Sequence, residues 1–199
     1  MGGVVEIERT RATARRYNEG EMIPNGPNPA PREMRDPPIT ITTLREVGLF
    51  GALSDEVLDH LVHTLKTLRV GTGQTVFREG DRAAHEMFIV LEGEIEVLKR
   101  SRKGPEMRIA ILGPSDCFGE MSMIDMQPRS ATVRTLAPSR LLRIDSEDMD
   151  GLYRYDLKSY ALVILNIARH LSRRLRVADG ILAYSASNAG EEHVLPTEL

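Results

Sequence analysis

The stretch from Cys117 to Val133 holds the residues whose types and spacing are best suited to chemistry. It reads C-F-G-E-M-S-M-I-D-M-Q-P-R-S-A-T-V, so an acid, a glycine and an arginine lie close together. Because Gly119 adopts a positive φ at little cost, we predict a sharp turn and then a short apolar helix from Met121 to Ile124. The first amides of such a helix lack intrahelical partners and, with the helix dipole, favour an anion such as phosphate. Those amides belong to Glu120, Met121 and Ser122.

Two side chains of this stretch indicate which chemical groups a ligand would carry. Arg129 offers a planar fork of donors that matches phosphate oxygens, whereas an ionised Glu120 can only accept hydrogen bonds. Glu120 therefore requires hydroxyl donors on the same ligand, and a sugar attached to a phosphate supplies both groups, as in a nucleotide. An ion pair between Glu120 and Arg129 across a surface turn explains the same residues equally well, and spacing alone does not decide between the two.

The stretch closely resembles the phosphate-binding cassette of the cyclic nucleotide-binding domain family, which includes catabolite activator proteins and regulatory subunits of cAMP-dependent protein kinase. The family carries F-G-E, then eight residues, then R-[STA]-A-[TS]. This sequence has F-G-E at 118–120 and R-S-A-T at 129–132, with Pro128 before the arginine. A run of this length is far more specific than a single glycine motif, so the resemblance favours a ligand site over a surface ion pair.

The resemblance also implies a role for each cassette residue. It implies that Glu120 receives the ribose 2′-hydroxyl and that Arg129 pairs with the cyclic phosphate. The other ligand-binding residues that it implies in the cassette are Phe118, Gly119, Met121, Ser122, Ser130 and Ala131. Nothing in the resemblance suggests catalysis, and no metal-ligand cluster or nucleophile with a base stands out in the sequence. We therefore expect a binding protein, not an enzyme, with no metal and no cofactor apart from its ligand.

Composition limits the architecture and the compartment. With 199 residues, 41% of them hydrophobic, and a net charge of −3, the chain fits one globular domain plus tails. The near-neutral charge argues against wholesale nucleic-acid binding, and no apolar run reaches the roughly 18 residues that a membrane helix needs. The single Cys117 excludes an internal disulfide, and no secretory signal follows the first residue, so we expect a soluble, cytoplasmic protein.

The two ends of the chain are predicted to be flexible tails. Residues 1–40 begin with mixed charge and then carry six prolines between Pro24 and Pro38, which exclude a continuous helix or a central strand. Residues 41–186 form the predicted domain, including a long C-terminal helix, and residues 187–199 form the second tail. This tail is too short for the helix-turn-helix domain of the family's bacterial activators, so we expect no DNA binding by this chain alone.

Hydrophobic periodicity predicts a mainly β, α+β domain. Ser54 is placed to cap a helix with one apolar face, formed by Val57, Leu58, Leu61, Val62 and Leu65. Between Val70 and Ile144 the period changes to two, and glycine- and proline-containing turns divide the short strands. The predicted strands are Thr75–Phe77, Met87–Leu91, Ile95–Val97, Met107–Ile111, Val133 and Leu141–Ile144. This pattern indicates an antiparallel, jelly-roll-like β-roll flanked by N-terminal helices and a long C-terminal helix.

The C-terminal helix is predicted to run from about Leu157 to Ser185. At 1.5 Å per residue it would extend roughly 40 Å, farther than one rolled sheet can cover, so part of it requires another surface. Apolar residues follow one stripe at spacings of three and four: Ile164, Ile167, Leu171, Leu175, Ala178 and Leu182. Such a stripe suits a two-helix seam, which predicts a homodimer, although burial of the whole stripe on the chain's own β-roll is the alternative.

The sequence thus predicts a cyclic nucleotide sensor that regulates an unidentified effector protein through movement of its C-terminal helix. Two alternatives are the regulatory part of a transcription factor or of a larger multidomain protein, and a scaffold with a degenerate pocket. The stretch from Arg174 to Asp179 resembles the part of the dimerising helix that lies near the base in the family's bacterial activators. This resemblance would place Asp179 as an acceptor that selects the amino group of adenine, whereas Ser130 resembles a feature of cGMP-selective kinase domains. Asp179 and Gly180 are also poor helix formers, which explains them as a weak point in the helix. We predict cAMP, with cGMP as the alternative ligand.

Overall fold

The computed structural model describes residues 38–82, 85–101 and 104–189. Most of the predicted tail at residues 1–40 and residues 190–199 of the second tail lie outside the described residues. Ile39 is buried in the core and the Thr40 side chain accepts a hydrogen bond from the Thr43 amide, so the last residues assigned to the first tail belong to the fold.

Helices precede and follow the strands of the described chain, one short helix lies between strands, and side-chain capping explains where three of the helices begin. They are α1 (Ile41–Arg45), α2 (Asp55–Thr64), α3 (Glu120–Asp125), α4 (Ser146–Tyr155) and α5 (Leu157–Ala189), with a single 3₁₀ turn at Gly48–Phe50. Ser54 caps α2 by accepting from the Val57 amide, as the sequence predicts. Asp145 caps α4 in a reciprocal capping box with Asp148.

The strands of the described residues form two four-stranded antiparallel sheets. They are β1 (Lys66–Val70), β2 (Thr75–Phe77), β3 (Met87–Glu92), β4 (Ile95–Arg100), β5 (Glu106–Leu112), β6 (Cys117–Phe118), β7 (Thr132–Thr135) and β8 (Ser139–Ile144). One sheet has the order β1-β8-β3-β6 and the other β2-β7-β4-β5. The predicted antiparallel β-roll with a long C-terminal helix is therefore confirmed. The period-two pattern did not identify β1 and β6.

The side chains of the central strand β3 point alternately into two layers of the core. On β3, Met87 and Ile89 pack against the helices, whereas Phe88 and Val90 pack between the two sheets. Both faces of this strand are therefore buried, which explains its continuous apolar run. On β5 the apolar side chains of Met107, Ile109 and Ile111 are exposed instead.

Helix α5 divides into a packed half and an exposed half. Val163 and Ile167 are each 1% exposed, and Leu171 packs at the edge of the same core. Farther along, Leu175 is 61% exposed and other apolar side chains follow it, namely Val177, Ile181, Leu182 and Tyr184. The alternative in which the β-roll buries the whole stripe therefore applies only to the first half. The helix also continues to Ala189, past the predicted end at Ser185.

No helix in the described ranges is both long and apolar enough to cross a bilayer, α5 included.

Candidate functional site

Gly119 makes the turn that organises the site. It has φ 80° and ψ 0°, in the left-handed region that favours glycine, and joins β6 to α3. A Cβ at this position would lie 2.8 Å from Nη1 of Arg129 and 3.0 Å from the carbonyl oxygen of Glu86. Glycine is thus required by both the backbone conformation and the close approach of the arginine. Helix α3 begins at Glu120, one residue before the predicted start.

Arg129 is a buried cation held by neutral acceptors. It is 4% exposed, and its Nη1 donates to the Glu86 carbonyl at 2.6 Å, the Gly119 carbonyl at 3.0 Å and the Ser122 hydroxyl at 2.7 Å. The guanidinium carbon also lies 4.1 Å from the centre of the Phe77 ring. Burial lowers the pKa of Arg129, although nearby carboxylates oppose this effect. These contacts fix the orientation of the guanidinium within the cavity.

Glu120 is paired with an arginine that the sequence analysis did not assign to the site. The residue is 1% exposed, and its Oε1 accepts from Nη1 of Arg174 at 2.9 Å. Arg174 comes from α5, and its side chain is 39% exposed. The contact therefore joins the cassette directly to the C-terminal helix.

The cassette lines a cavity of about 270 Å³. All eight cassette residues predicted to bind ligand are among its lining: Phe118, Gly119, Glu120, Met121, Ser122, Arg129, Ser130 and Ala131. The remaining lining residues are Phe77, Val97, Lys99, Ile109, Val133 and Arg174. The cavity thus combines charged groups with an apolar wall, an arrangement that suits a ligand with an anionic part and a flat apolar ring.

Lys99 is held at this cavity by two contacts from neighbouring segments. Its Nζ donates to the Ser130 carbonyl at 2.5 Å and lies 2.9 Å from Oε1 of Glu79. Like Phe77 and Ile109, it belongs to a strand well before the cassette in sequence, so local motif reasoning could not assign it to the site.

Asp179 lies away from this cavity. It is exposed on α5 and is not among the residues that line the cassette cavity. It follows Arg174 by five residues, which is about 7.5 Å along a helix axis. The structure of one chain therefore does not bring Asp179 to the predicted site.

Metal ligands do not cluster in the described residues, where no group of three or more histidine, cysteine, aspartate or glutamate side chains could hold an ion.

The thiol of Cys117 lies 3.4 Å from Nδ1 of His170. Burial, assisted by the charge of Glu120, raises the pKa of Cys117 to about 12, so the thiol is protonated at neutral pH.

Comparison with known proteins agrees with this geometry. Residues 67–156 match the sequence profile of the cyclic nucleotide-binding domain. A CRP-like cAMP-activated global transcriptional regulator of Mycobacterium tuberculosis is 30% identical over 140 residues, or 70% of this chain and 60% of the regulator. A cGMP-dependent protein kinase of Toxoplasma gondii is 33% identical over 90 residues, or 45% of this chain and 8% of the kinase. The chain thus spans about 60% of the length of the bacterial relative and far less of the kinase.

The fold has a close counterpart among solved structures. A crystal structure of a cyclic nucleotide-binding domain from Methylobacillus flagellatus superposes with a TM-score of 0.65 at 26% identity, covering 72% of this chain and 81% of that domain. The sequence profile, the shared β-roll and the cassette together show that this chain belongs to the cyclic nucleotide-binding domain family.

Proposed function

We propose that this chain senses a cyclic nucleotide, cAMP, and regulates a partner protein through ligand-dependent movement of α5. The observation that carries the proposal is the presence in one cavity of a buried arginine and a buried carboxylate. Arg129 is 4% exposed and Glu120 is 1% exposed, and both line the cavity of about 270 Å³. Charges are seldom buried without a function, because desolvation opposes their burial.

Three regions of the cavity bind the phosphate, the ribose and the base of the nucleotide. The cyclic phosphate lies against Arg129 and the first amides of α3, where donors and positive charge coincide. The ribose 2′-hydroxyl donates to Glu120, which as a carboxylate can only accept. The base packs on the apolar lining, formed by Phe77, Val97, Ile109 and Val133.

The ion pair between Glu120 and Arg174 supplies the link to α5. A ribose hydroxyl that donates to Glu120 shares the carboxylate with Arg174, whose Nη1 lies 2.9 Å from Oε1. Ligand binding therefore changes the relative free energies of the α5 poses that keep and that lose this contact. The helix responds by a population shift whose size is set by the difference in ligand affinity between the two poses.

The choice of cAMP rests on the bacterial relative, whose name describes activation by cAMP. The kinase relative is cGMP-dependent, so cGMP is the second candidate. Because Asp179 does not line the cavity, the amino group of adenine is not assigned to that side chain. Ser130 does line the cavity, beside the arginine, and is the residue of the cassette at which a preference for guanine would be tested first.

The exposed half of α5 completes the proposed mechanism. We assign its apolar stripe to a homodimer seam and the effector to an unidentified protein, with the cytoplasm as the compartment. A second candidate is that the chain is the regulatory part of a longer transcription factor, since it spans about 60% of the bacterial regulator. A scaffold with a degenerate pocket is disfavoured because both Glu120 and Arg129 are in place.

Calorimetric titration with cAMP and cGMP tests the proposal. We expect saturable binding of cAMP to the wild type and a loss of about tenfold or more in both Arg129→Ala and Arg129→Lys, because lysine keeps the charge but not the bidentate fork. Arg176→Lys is the matched control on exposed helix surface and should bind as the wild type does. Wild-type affinity in a folded Arg129→Ala protein would contradict the assignment, and failure of both nucleotides to bind the wild type would favour the scaffold.

A further inference from the structure

A second cavity, of about 220 Å³, shares two walls with the nucleotide cavity. On β6, Phe118 lines the first cavity and Cys117 lines the second, because successive strand side chains point to opposite faces. On α5, Arg174 lines the first and Arg173 lines the second. Nothing in the proposed nucleotide site uses this second cavity.

One arginine of the second cavity is held in place by a chain of hydrogen bonds. The Asn166 amide donates to the carbonyl oxygens of Leu49 and Gly51, at 3.0 and 3.1 Å. With its nitrogen fixed in this way, the Asn166 oxygen accepts from Nη1 of Arg169 at 3.0 Å. Backbone groups of the 3₁₀ turn and the residue after it thus orient the guanidinium of Arg169 beside the cavity.

The cavity carries more positive than negative charge. Arg169 and Arg173 are one helical turn apart on the same face of α5, and both line it. Within the described ranges neither arginine forms an ion pair with a carboxylate. The one acidic lining residue, Asp116, accepts from the Gly113 amide through Oδ2 at 2.9 Å. Two cations therefore face one anion.

One wall of the cavity carries a neutral imidazole ring and not a further charge. The thiol of Cys117 lies 3.4 Å from Nδ1 of His170, so this ring nitrogen is engaged within the protein. Burial lowers the pKa of His170, so the ring is neutral at neutral pH. The cavity therefore offers two guanidinium forks, one imidazole ring and one carboxylate acceptor.

We propose that this second cavity binds a small phosphate ester that carries a hydroxyl group. The phosphate lies between Arg169 and Arg173, whose planar forks match its oxygens, and the hydroxyl donates to Asp116. Leu49 is the one large aliphatic side chain among its lining residues, so the cavity offers no apolar wall for a base and the ligand is a small phosphate ester rather than a second nucleotide. This inference does not depend on the proposed nucleotide function.

Nuclear magnetic resonance on the full chain tests the site through a reporter inside it. The ring signal of His170, assigned with His170→Gln, is followed during titration with inorganic phosphate and then with glycerol 3-phosphate, in chloride at constant ionic strength. We expect saturable shifts, with glycerol 3-phosphate binding more tightly than phosphate. Arg169→Gln and Arg173→Gln should each weaken binding about tenfold or more.

The control variant is Arg176→Gln, because Arg176 continues the same exposed face of α5 but does not line the cavity. Wild-type binding is expected in this variant and also in Arg129→Lys, which separates the second cavity from the nucleotide site. A His170 signal that does not respond, or an equal loss in Arg173→Gln and Arg176→Gln, would overturn the site. Glycerol 3-phosphate binding no tighter than phosphate would overturn the contact with Asp116.

Discussion

Glu120 is the residue whose chemistry distinguishes a nucleotide site from a simple anion site. A carboxylate that is 1% exposed and can only accept hydrogen bonds requires donors, and Arg174 supplies one in this structure. A ribose 2′-hydroxyl is the donor that the ligand would add. The loss of that hydroxyl is therefore the most direct measure of the role of Glu120.

We expect 2′-deoxy-cAMP to bind the wild type about tenfold or more weakly than cAMP, since a hydrogen bond to a charged group contributes about 1.5–3 kcal/mol. Glu120→Ala should bind the two nucleotides with equal affinity. Glu120→Gln should show an affinity ratio between those of the wild type and Glu120→Ala, because the amide oxygen accepts a hydrogen bond but carries no charge. Calorimetry measures each pair of constants, and thermal unfolding checks that each variant is folded. If removal of the 2′-hydroxyl lowered the affinity equally in the wild type and in Glu120→Ala, Glu120 would not contact the ribose.

Residues of the site differ in how well the sequence predicts them. The cassette could be assigned because its members lie within fifteen residues of sequence, so that the resemblance to the family is visible as one local motif, and because Gly119 imposes a local turn that depends on few other residues. Arg174 could not be assigned, because it lies 54 positions from Glu120 and meets it only once α5 has packed on the β-roll. Asp179 was placed near the base by resemblance alone, and the exposed course of α5 does not bring it to the cavity.

Among the structural elements, β4 is tied to both of its neighbours by one buried carboxylate. Glu96 is 2% exposed, and its two oxygens accept separately from Arg134 on β7 and Arg108 on β5. The distances from Nε are 2.6 Å and 2.7 Å, and the Nη2 groups lie at 2.5 Å and 2.7 Å. Each arginine therefore presents a two-nitrogen fork to one oxygen, which links three strands.

The titration of Glu96 should make the stability of this sheet pH-dependent. Burial alone raises the pKa of Glu96, but hydrogen bonds and charges from Arg134 and Arg108 outweigh it and hold the pKa below its ordinary value. Because the folded pKa is the lower one, the stabilisation is complete above the unfolded value of about 4.3 and is lost as pH falls through the folded pKa.

We therefore expect the free energy of unfolding to fall more steeply on acidification in the wild type than in Glu96→Gln. Denaturant titrations between about pH 6 and about pH 3 would measure the two slopes. Glu94→Gln, at an exposed position just before β4, is the control and should retain the wild-type slope. Parallel slopes in wild type and Glu96→Gln would contradict the role given to this carboxylate.

Elements with strong local signals were predicted well, and those that depend on tertiary pairing were not. Ser54, for example, caps α2 as its side-chain chemistry indicates. Strand β6 has two residues, too few to display a period, and exists because it pairs with β3. Strand β1 mixes lysine, threonine and arginine with two apolar residues, and its pairing with β8 outweighs its weak pattern.

Helix α5 is the element that should move when ligand binds, since Arg174 connects it to Glu120. Spin labels at Thr72→Cys and Ala183→Cys, both exposed and both outside the apolar stripe of α5, would report the distance from the β1–β2 turn to the helix. We expect cAMP to change this distance in the otherwise wild-type protein and to change it less in Arg174→Gln, where the ion pair is removed. Equal changes in both proteins would show that the contact does not couple ligand to helix.

For the whole molecule, the feature that bears on association is the apolar surface that α5 carries beyond the β-roll. Its 33 residues extend about 50 Å, and only the first half contributes buried side chains to the core. Leu175 is 61% exposed and Leu182 is 37% exposed, and Ala178 lies between them at helical spacing. A second copy of the same helix would cover this stripe symmetrically, so that each residue contributes twice to one seam.

We therefore expect Leu175→Glu to convert a dimer into monomers. Each leucine withdrawn from a seam forfeits about 1.5–3 kcal/mol of hydrophobic stabilisation, and the substitution places two like charges together in a dry interface. Sedimentation equilibrium with and without cAMP measures the association constant, and Arg176→Glu, an exposed position outside the stripe, serves as the control. A dimer that withstands Leu175→Glu, or a wild type that is monomeric in both conditions, would show that something other than a second α5 covers this stripe.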